Sequence, residues 1–415
     1  MTKKAPLVDP ESVEIGGRAR MIRGRRGLSL DAAAGLAGIS KPYLWQLENG
    51  KRRFARRGLI EDLAGALGCS VIDLTGQPYL PPDRASAEAL AAVPGIQLAL
   101  HDYGPDDVPD LQPRSLDELT CWAADANEHC DQTRFSLAGR DAGVLVAELQ
   151  AHALTAGSAE RNRAFTALVT ACMVAGAVAK NLGYIDLSVT AARRGYDFAR
   201  RQDDLGLLGF ARWYWALGLM RLAARNRATV ALTHGVDELV PAVNLRSGDT
   251  LPAEMAGMMH LTHAQTAARD RSDDAHAHLA EAASLADRIG ERNGMRQHFG
   301  PTNVAVWRLS VGIELGEGGR AYEDLTRAQL DVATLGSAER SSSLHLDLAR
   351  ALVQDGPDRD GEAIRHLDTA DRLAPQRIRL DPMARDLLAG LHKRARRRVW
   401  ELDSLLNRFR VNTKR

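Results

Sequence analysis

Residues 27–53 read GLSLDAAAGLAGISKPYLWQLENGKRR, and this stretch decides the local structure of the N-terminal region. Ser29 and Ser40 each precede a helix-forming run, where a serine hydroxyl caps the first free amides of a helix. Gly38 between the runs permits a tight turn, and Gly50 follows the second run, as glycine commonly follows a helix end. The stretch therefore predicts two short helices joined by a turn, the second over residues 41–49.

Apolar residues at helical spacing predict three more N-terminal helices, at about residues 14–26, 58–67 and from 70 onward. Two short helices joined across a glycine-containing turn, inside a compact bundle, describe a helix-turn-helix. The second helix of that motif lies in the major groove of DNA. This region is therefore predicted to bind double-stranded DNA.

The contacts to DNA follow from the phase of the second helix. If Leu44 and Leu47 are buried, a step of about 100° per residue turns Gln46 outward. Gln pairs with adenine in the major groove, and Lys reaches guanine. The predicted base contacts are Lys41, Pro42, Tyr43 and Gln46. Phosphate contacts position a protein without reading sequence, and those predicted here are Ser29, Asn49, Lys51, Arg52, Arg53, Arg56 and Arg57.

Two alternatives stay open in this region. In the first alternative, the basic run does not contact DNA and is only a solvated surface, and the bundle is a protein-binding module. Trp45 either packs on Pro42 and the bundle or touches DNA, and the sequence does not separate the two.

Residues 12–76 resemble the Cro/repressor-type, or xenobiotic-response-element (XRE), helix-turn-helix domain. The matching features are Gly27-Leu28-Ser29, Ala37-Gly38-Ile39-Ser40, Tyr43-Leu44 and Leu47-Glu48-Asn49-Gly50-Lys51, with Leu63 and Leu74 in the later helices. The resemblance implies a five-helix DNA-binding bundle. It fails at Leu30, where the family often has a glutamine that touches DNA, so that contact is not carried over.

Charge is segregated along the chain, although the whole carries 54 basic and 53 acidic residues. Residues 1–80 hold 13 Lys/Arg against 8 Asp/Glu, and residues 391–415 hold 9 against 2. The stretch between them holds 32 against 43, so a basic head and a basic tail flank an acidic body. Such asymmetry suggests a polyanion-binding module joined to something else, with a body that repels DNA.

The rest of the chain predicts a helical repeat array. Seven of the sixteen prolines lie in residues 78–113, which marks an extended linker with a short helix near 85–93. Beyond it, predicted turns recur at roughly 40–46 residues, which indicates a helical solenoid similar to degenerate tetratricopeptide repeats. An irregular helical bundle is the alternative.

The expected fold is all-α, an N-terminal five-helix helix-turn-helix bundle followed by a tetratricopeptide-like α-solenoid. We divide the chain into a helix-turn-helix domain at 1–77, a Pro-rich linker at 78–114, a repeat domain at 115–390 and a basic amphipathic capping helix at 391–415.

A solenoid presents a concave face that suits extended ligands. Polar and aromatic residues at helical spacing are its candidate lining, although core packing explains each one equally well. The predicted effector contacts are Arg212, Trp215, His260, His263, Asn303 and Trp307.

Other classes of protein find no support in the sequence. It contains no phosphate-binding glycine loop, nucleophile elbow or zinc-protease signature, so no catalysis and no cofactor are expected. His260 and His263 lack the partners of a recognised metal site, and the four cysteines form no C-x-x-C pair. The apolar run at 164–179 suits a buried helix better than a membrane span, and a cytoplasmic protein is expected.

A repressor-type head on such a body resembles Gram-positive regulators that sense signalling peptides, and a large group of actinobacterial regulators. The resemblance implies a homodimeric transcriptional regulator that binds an inverted-repeat operator and senses a peptide or small-molecule effector. In the alternative, the body is a protein-interaction scaffold controlled by a partner protein, with no small effector.

Overall fold

The computed structural model describes residues 14–244, 246, 248–395 and 397–410. Within these ranges the chain is built from α-helices and contains no β-strand, which confirms the all-α prediction. In chain order the helices are α1 Ile15–Arg25, α2 Leu30–Leu36, α3 Lys41–Glu48, α4 Arg57–Leu67, α5 Val71–Thr75, α6 Arg84–Leu90, α7 Val93–His101, α8 Leu116–Asp131, α9 Phe135–Ala138, α10 Ala142–Thr155, α11 Ser158–Asn181, α12 Ile185–Ala199, α13 Leu205–Arg221, α14 Arg225–Ala242, α15 Leu251–Arg269, α16 Asp274–Ile289, α17 Pro301–Leu315, α18 Gly318–Arg327, α19 Ala338–Asp355, α20 Asp360–Leu373, α21 Pro375–Ile378, α22 Pro382–Arg394 and α23 Trp400–Phe409.

Helices α1–α5 form a compact bundle, which we call the head. The Ser29 hydroxyl accepts a hydrogen bond from the amide of Ala32 at 3.1 Å, and Ser40 caps α3 in the same way through Tyr43 at 3.4 Å. Gly38 in the intervening turn has φ of +64°, a left-handed conformation that glycine adopts without steric cost. The predicted five-helix bundle is confirmed.

The orientation of α3 in the head is fixed by α1. A side chain at Gly16 would place its Cβ only 2.0 Å from the Leu47 carbonyl oxygen, so the two helices approach at backbone contact. Arg23 of α1 holds Glu48 of α3 through two hydrogen bonds of 2.6 and 2.9 Å. Between them lies an aliphatic core that includes Ile15, Ala19, Leu44, Leu47, Phe54, Leu59, Leu63, Leu67 and Leu74.

The rest of the chain, from α6 onward, is the body, and most of it is a stack of helical hairpins. Helices α11/α12, α13/α14, α15/α16, α17/α18 and α19/α20 pack pairwise, and each first helix also packs on the first helix of the next hairpin. The first helices of these pairs line the space on the side of the head. The predicted repeat array after the bundle is confirmed.

Helix α11 is the most apolar element of the stack. It is long and apolar enough to cross a membrane, but 83% of its most apolar window is buried inside the fold. Its residues pack against α8, α10 and α12, as the sequence predicted for a buried helix at this position.

The segment predicted to be an extended linker is folded instead. Residues Val93, Ile96 and Leu100 of α7 are buried, and α7 packs against α10 and α12. Helix α6 packs against α9. Helix α6 corresponds to the short helix predicted near 85–93, whereas the extended conformation expected for the rest of the linker is wrong over α7, because its apolar residues recur at helical spacing and cover a neighbouring surface.

The C-terminal helix α23 packs on α20 and α22 through Leu402, Leu405, Leu406 and Phe409, all of them buried. Arg408 forms ion pairs with Asp368 and Asp371 of α20. Arg396 and residues 411–415 of the predicted tail lie outside the described residues. Helix α22 also reaches the head.

Candidate nucleic-acid interface and internal cavity

Among the described residues, no other element covers the outer side of α3. Lys41 and Pro42 are exposed, while Tyr43 and Gln46 are half-buried. Lys41 forms an ion pair of 2.7 Å with Asp31, in which both side chains are more than half exposed. A pair of this kind contributes at most about 1 kcal/mol, so Lys41 can exchange it for another partner.

Two of the predicted phosphate contacts continue this free surface. Lys51 and Arg52 are exposed beyond the end of α3, and the Arg52 guanidinium lies 5.9 Å from the centre of the Tyr43 ring. Asn49 is exposed and holds the end of α3 by donating to the Trp45 carbonyl at 2.8 Å. Together with Lys41 and Pro42 they form a surface that we call the outward face, and Ser29 stands at the exposed start of α2 nearby in the motif.

The other three predicted phosphate contacts turn the opposite way, onto the body. The Arg53 guanidinium donates hydrogen bonds to Asp386 of α22 at 3.3 Å and to Glu14 at 2.8 Å. Arg57 pairs with Asp381 at 3.1 Å. The Arg56 guanidinium donates to the Glu314 carbonyl at 3.4 Å. Arg53, Arg56 and Arg57 thus belong to an inward face, and a phosphate role for them requires the head to leave the body.

Glu314 of α17 is the centre of this contact. Its fully buried carboxylate accepts the amides of Arg57 and Gly58 at 3.1 and 3.2 Å, at the start of α4, and the Arg350 guanidinium at 2.9 Å. Burial by itself would raise its pKa, but Arg350, Arg269 and the two amides bring the pKa below its usual value. The arrangement places a negative charge at a helix N-terminus, where the helix dipole favours it.

A second carboxylate joins α4 to the body from the other side. Glu61 receives Arg269 of α15 and Arg225 of α14, each at 2.6 Å. Arg225 also donates to the Gly58 carbonyl at 3.0 Å. The head is therefore held along α4 by ion pairs of both polarities.

A cavity of about 330 Å³ lies between the head and the inner helices of the body. The head supplies residues of α4 and α5, among them Ile60 and Ile72, and the body supplies α8, α11, α13, α15, α17 and α19. The lining is mixed, with aromatic and aliphatic side chains beside several cations. The lining residues from the body include Lys180, Trp213, Tyr214, Arg221, Trp307, Glu339, Arg340 and Arg377.

Of the six predicted effector contacts, only Trp307 lines this cavity. Arg212 and Trp215 lie on the other side of α13, where Arg212 pairs with Glu238 at 2.9 Å and Trp215 stacks on Tyr196. The structure therefore does not bring the six together.

On α13, the predicted contacts and the cavity-lining residues differ in helical phase. The residues of α13 that line the cavity are Phe210, Trp213, Tyr214, Leu217, Met220 and Arg221, which follow a spacing of three and four. Both sides of this helix carry aromatic residues and an arginine, because its outer side packs on the next layer. The sequence pattern alone could not choose between the two sides.

The remaining predicted contacts pack within the body. His260 lies 3.0 Å from His278 between their Nδ1 atoms, and His263 stacks on the His278 ring. Burial and the neighbouring His278 lower the pKa of His260 and His263 to about 4, so both are neutral at pH 7. Asn303 is fully buried and donates to the Gln297 carbonyl at 3.3 Å. Among the described residues, no group of three or more His, Cys, Asp or Glu side chains is arranged to hold a metal ion.

Sequence reasoning missed the charged part of the lining. Lys180, Arg221 and Arg269 stand in the last turns of α11, α13 and α15, the first helices of successive hairpins. A basic residue recurring at the end of the first three of these helices, α11, α13 and α15, was the available signal.

The head matches a known class of protein domain. Residues 14–75 match a protein-family model described as a helix-turn-helix domain, and these residues form one here. Among solved structures, the chain is similar to Bacillus thuringiensis PlcR in its complex with the peptide PapR7 and DNA, at 12% identity and a TM-score of 0.27. The match covers 67% of this chain and 95% of that one, and so low a score carries no argument. No curated protein matches the sequence.

Proposed function

We propose that this protein is a sequence-specific, DNA-binding transcriptional regulator. The observation that carries the proposal is the outward face of the helix-turn-helix, where α3 presents the exposed Lys41 and Pro42 and the half-buried Gln46, and no described part of the body lies over them. Lys51 and Arg52 follow α3 as exposed cations, suited to phosphate contacts beside the groove. Base readout by Lys41, Pro42, Tyr43 and Gln46, and phosphate contact by Ser29, Asn49, Lys51 and Arg52, remain predictions.

We further propose that the protein acts as a homodimer on an inverted repeat, and that its body senses a peptide or small-molecule effector. The internal cavity supports effector sensing, because head and body both contribute to its wall. An occupant that binds one placement of the head more tightly than another shifts the equilibrium between them, and only that difference in affinity can do so.

Footprinting on the upstream region of the protein's own gene tests DNA binding. Wild-type protein should protect a site with two-fold symmetry, and a double variant Lys51→Ala/Arg52→Ala should need much more protein for the same protection. Arg320→Ala is the control, because Arg320 is an exposed arginine of α18 in the body. If the control loses as much protection as the double variant, the outward face is not the DNA contact.

The oligomeric state is tested by sedimentation with and without the protected DNA. A dimer bound to one symmetric site supports the proposal. A single chain on each site contradicts the dimer and leaves the assignment of the DNA-binding face standing.

A further inference from the structure

The inner helices of the body end in a series of cations, and the head neutralises only part of it. Lys180, Arg221 and Arg269 stand in the last turns of α11, α13 and α15. Arg269 meets Glu61 of the head at 2.6 Å. Within the part of the chain that the structure describes, the side chains of Lys180 and Arg221 have neither a hydrogen bond nor an ion pair. The two that lack a partner line the internal cavity.

The nearest acidic group cannot neutralise both. Glu339 of α19 lines the same cavity and is shared by Arg340 at 3.5 Å and Arg377 at 3.9 Å. Lys180, Arg221, Arg340 and Arg377 thus surround Glu339, and of the four only Arg377 also interacts with Asp381. Burial would raise the pKa of Glu339, yet the arginines and Lys180 around it lower the pKa to about 2. Arg340 and Arg377 already form ion pairs with the ionised Glu339 carboxylate.

The excess of positive charge in the cavity wall is energetically unfavourable. Burial, together with the nearby Arg221 guanidinium, lowers the pKa of Lys180 to about 7, and burial lowers that of Arg221 to about 10. The C-terminal ends of α11 and α13 favour a cation through the helix dipole, but that effect is small beside the cost of an unpaired buried charge.

We propose that the cavity binds a small organic anion, whose carboxylate or phosphate group lies between Lys180 and Arg221. The inference rests on the proposed effector-sensing function and specifies its ligand. A guanidinium and an ammonium together provide donors for the oxygens of such a group. Tyr214 and Trp307 on the same wall suit an aromatic or apolar body on the ligand.

The size of the cavity selects a small molecule over a long peptide. About 330 Å³ stands at the lower end of ligand pockets, which span roughly 300–1,000 Å³. Ile60 and Ile72 of the head close part of the wall, so an occupant touches head and body together. Binding at this site therefore bears on how the head is held.

The first test uses the full-length protein and no ligand. Lys180→Met and Arg221→Met each remove a half-buried cation that has no ion-pair partner among the described residues and stands beside other cations, so the melting temperature should rise by a few degrees. Arg269→Met is the matched control, because it stands at the same place on the next inner helix but is paired with Glu61, and its melting temperature should fall. A fall for all three variants would contradict the proposal.

The second test adds probes without DNA. Sodium phenylacetate should raise the melting temperature of the wild type, and neutral phenylacetamide should not. Inorganic phosphate is run beside them to separate preference for a carboxylate from preference for a phosphate. The shift should vanish in the double variant Lys180→Met/Arg221→Met. Absence of a shift with either anion in the wild type, or an equal shift in the double variant, overturns the proposal.

Footprinting of the wild-type protein keeps the two proposals apart. DNA protection by a wild-type protein that shows no shift with either anion rejects the anion site alone. Anion binding by a protein that protects no DNA rejects the DNA-binding proposal alone.

Discussion

The outward and inward faces of the head are built from one basic run, yet they have different surroundings. Lys51 and Arg52 are exposed beyond α3, whereas the next residue, Arg53, has a side chain only 14% exposed between Glu14 and Asp386. Arg57 lies against Asp381 in the same way. Neighbouring residues of the same charge thus have different partners, and the turn into α4 decides which partner each one meets.

The comparison also changes what the acidic body does. Its excess of carboxylates was expected to repel DNA. The structure shows that Glu314, Asp381 and Asp386 hold the head instead, through arginines and backbone amides of residues 53–58. Docking of the head on the body and DNA binding therefore compete for the same arginines if the inward face is to reach a phosphate.

Removing the Glu314 charge should give the largest effect. Glu314→Gln leaves Arg350 buried with only Asp347, so the free energy of unfolding should fall by about 3 kcal/mol. Urea denaturation measures the change. Glu317→Gln is the control, because Glu317 is exposed just beyond α17, and its effect should stay below about 0.5 kcal/mol. Equal losses in both variants would mean that Glu314 does not hold the head.

The second largest effect is expected from acid, which should weaken the contacts of the inward face with the body. Burial raises the pKa of Glu314 and Asp381, but Arg350 and Arg57 respectively outweigh it, so both pKa values lie below their ordinary 4.5 and 3.8. A lowered carboxyl pKa stabilises the fold above the unfolded pKa, and the gain is lost as pH falls through the folded pKa. Asp386, whose pKa burial raises despite Arg53, acts in the opposite direction.

The free energy of unfolding should therefore fall as pH is lowered from about 5 towards 3, by up to about 1.4 kcal/mol for each unit of pKa shift. Urea titrations at stepped pH measure it. Glu314→Gln should have a shallower slope, since it removes one of the carboxyl groups whose pKa the fold lowers. An unchanged slope would place the acid sensitivity elsewhere.

Arg53 and Lys51 allow the two faces to be tested by the same substitution. Arg53→Ala should lower the free energy of unfolding by about 1–3 kcal/mol, because it removes charge-assisted bonds to Glu14 and Asp386. Lys51→Ala should change it by less than about 0.5 kcal/mol. In DNA titrations at several salt concentrations, Lys51→Ala should reduce the salt slope by about 1. Reversal of this pattern would exchange the roles of the two faces.

Much of the head could be predicted from its sequence, and the reason is local. The hydroxyls of Ser29 and Ser40 and the left-handed Gly38 act on residues near them in the chain, so helix ends follow from short patterns. The fold of the body was predictable from its apolar spacing for the same reason.

The partners of the charges were not predictable. Arg53 meets Asp386, more than three hundred residues away, and nothing near Arg53 distinguishes it from Lys51. On α13, Trp213 and Trp215 are both buried, and only packing places Trp213 at the cavity. These choices depend on which long-range surfaces meet, so they need the folded chain.

Trp45 provides the finest distinction on the outward face, because its ring is 50% exposed on α3. Because half of the Trp45 surface is exposed to solvent, Trp45→Ala removes little buried apolar surface and should lower the free energy of unfolding by less than about 1 kcal/mol. We expect it to weaken DNA binding by about tenfold, equivalent to about 1.4 kcal/mol, through lost contact with the duplex. Trp400→Ala removes the same side chain from α23, where it is 72% exposed, and should leave DNA affinity unchanged. If Trp45→Ala destabilised the head strongly while DNA affinity per folded molecule held, Trp45 would be a packing residue, and the readable part of the outward face would shrink to Lys41, Pro42 and Gln46.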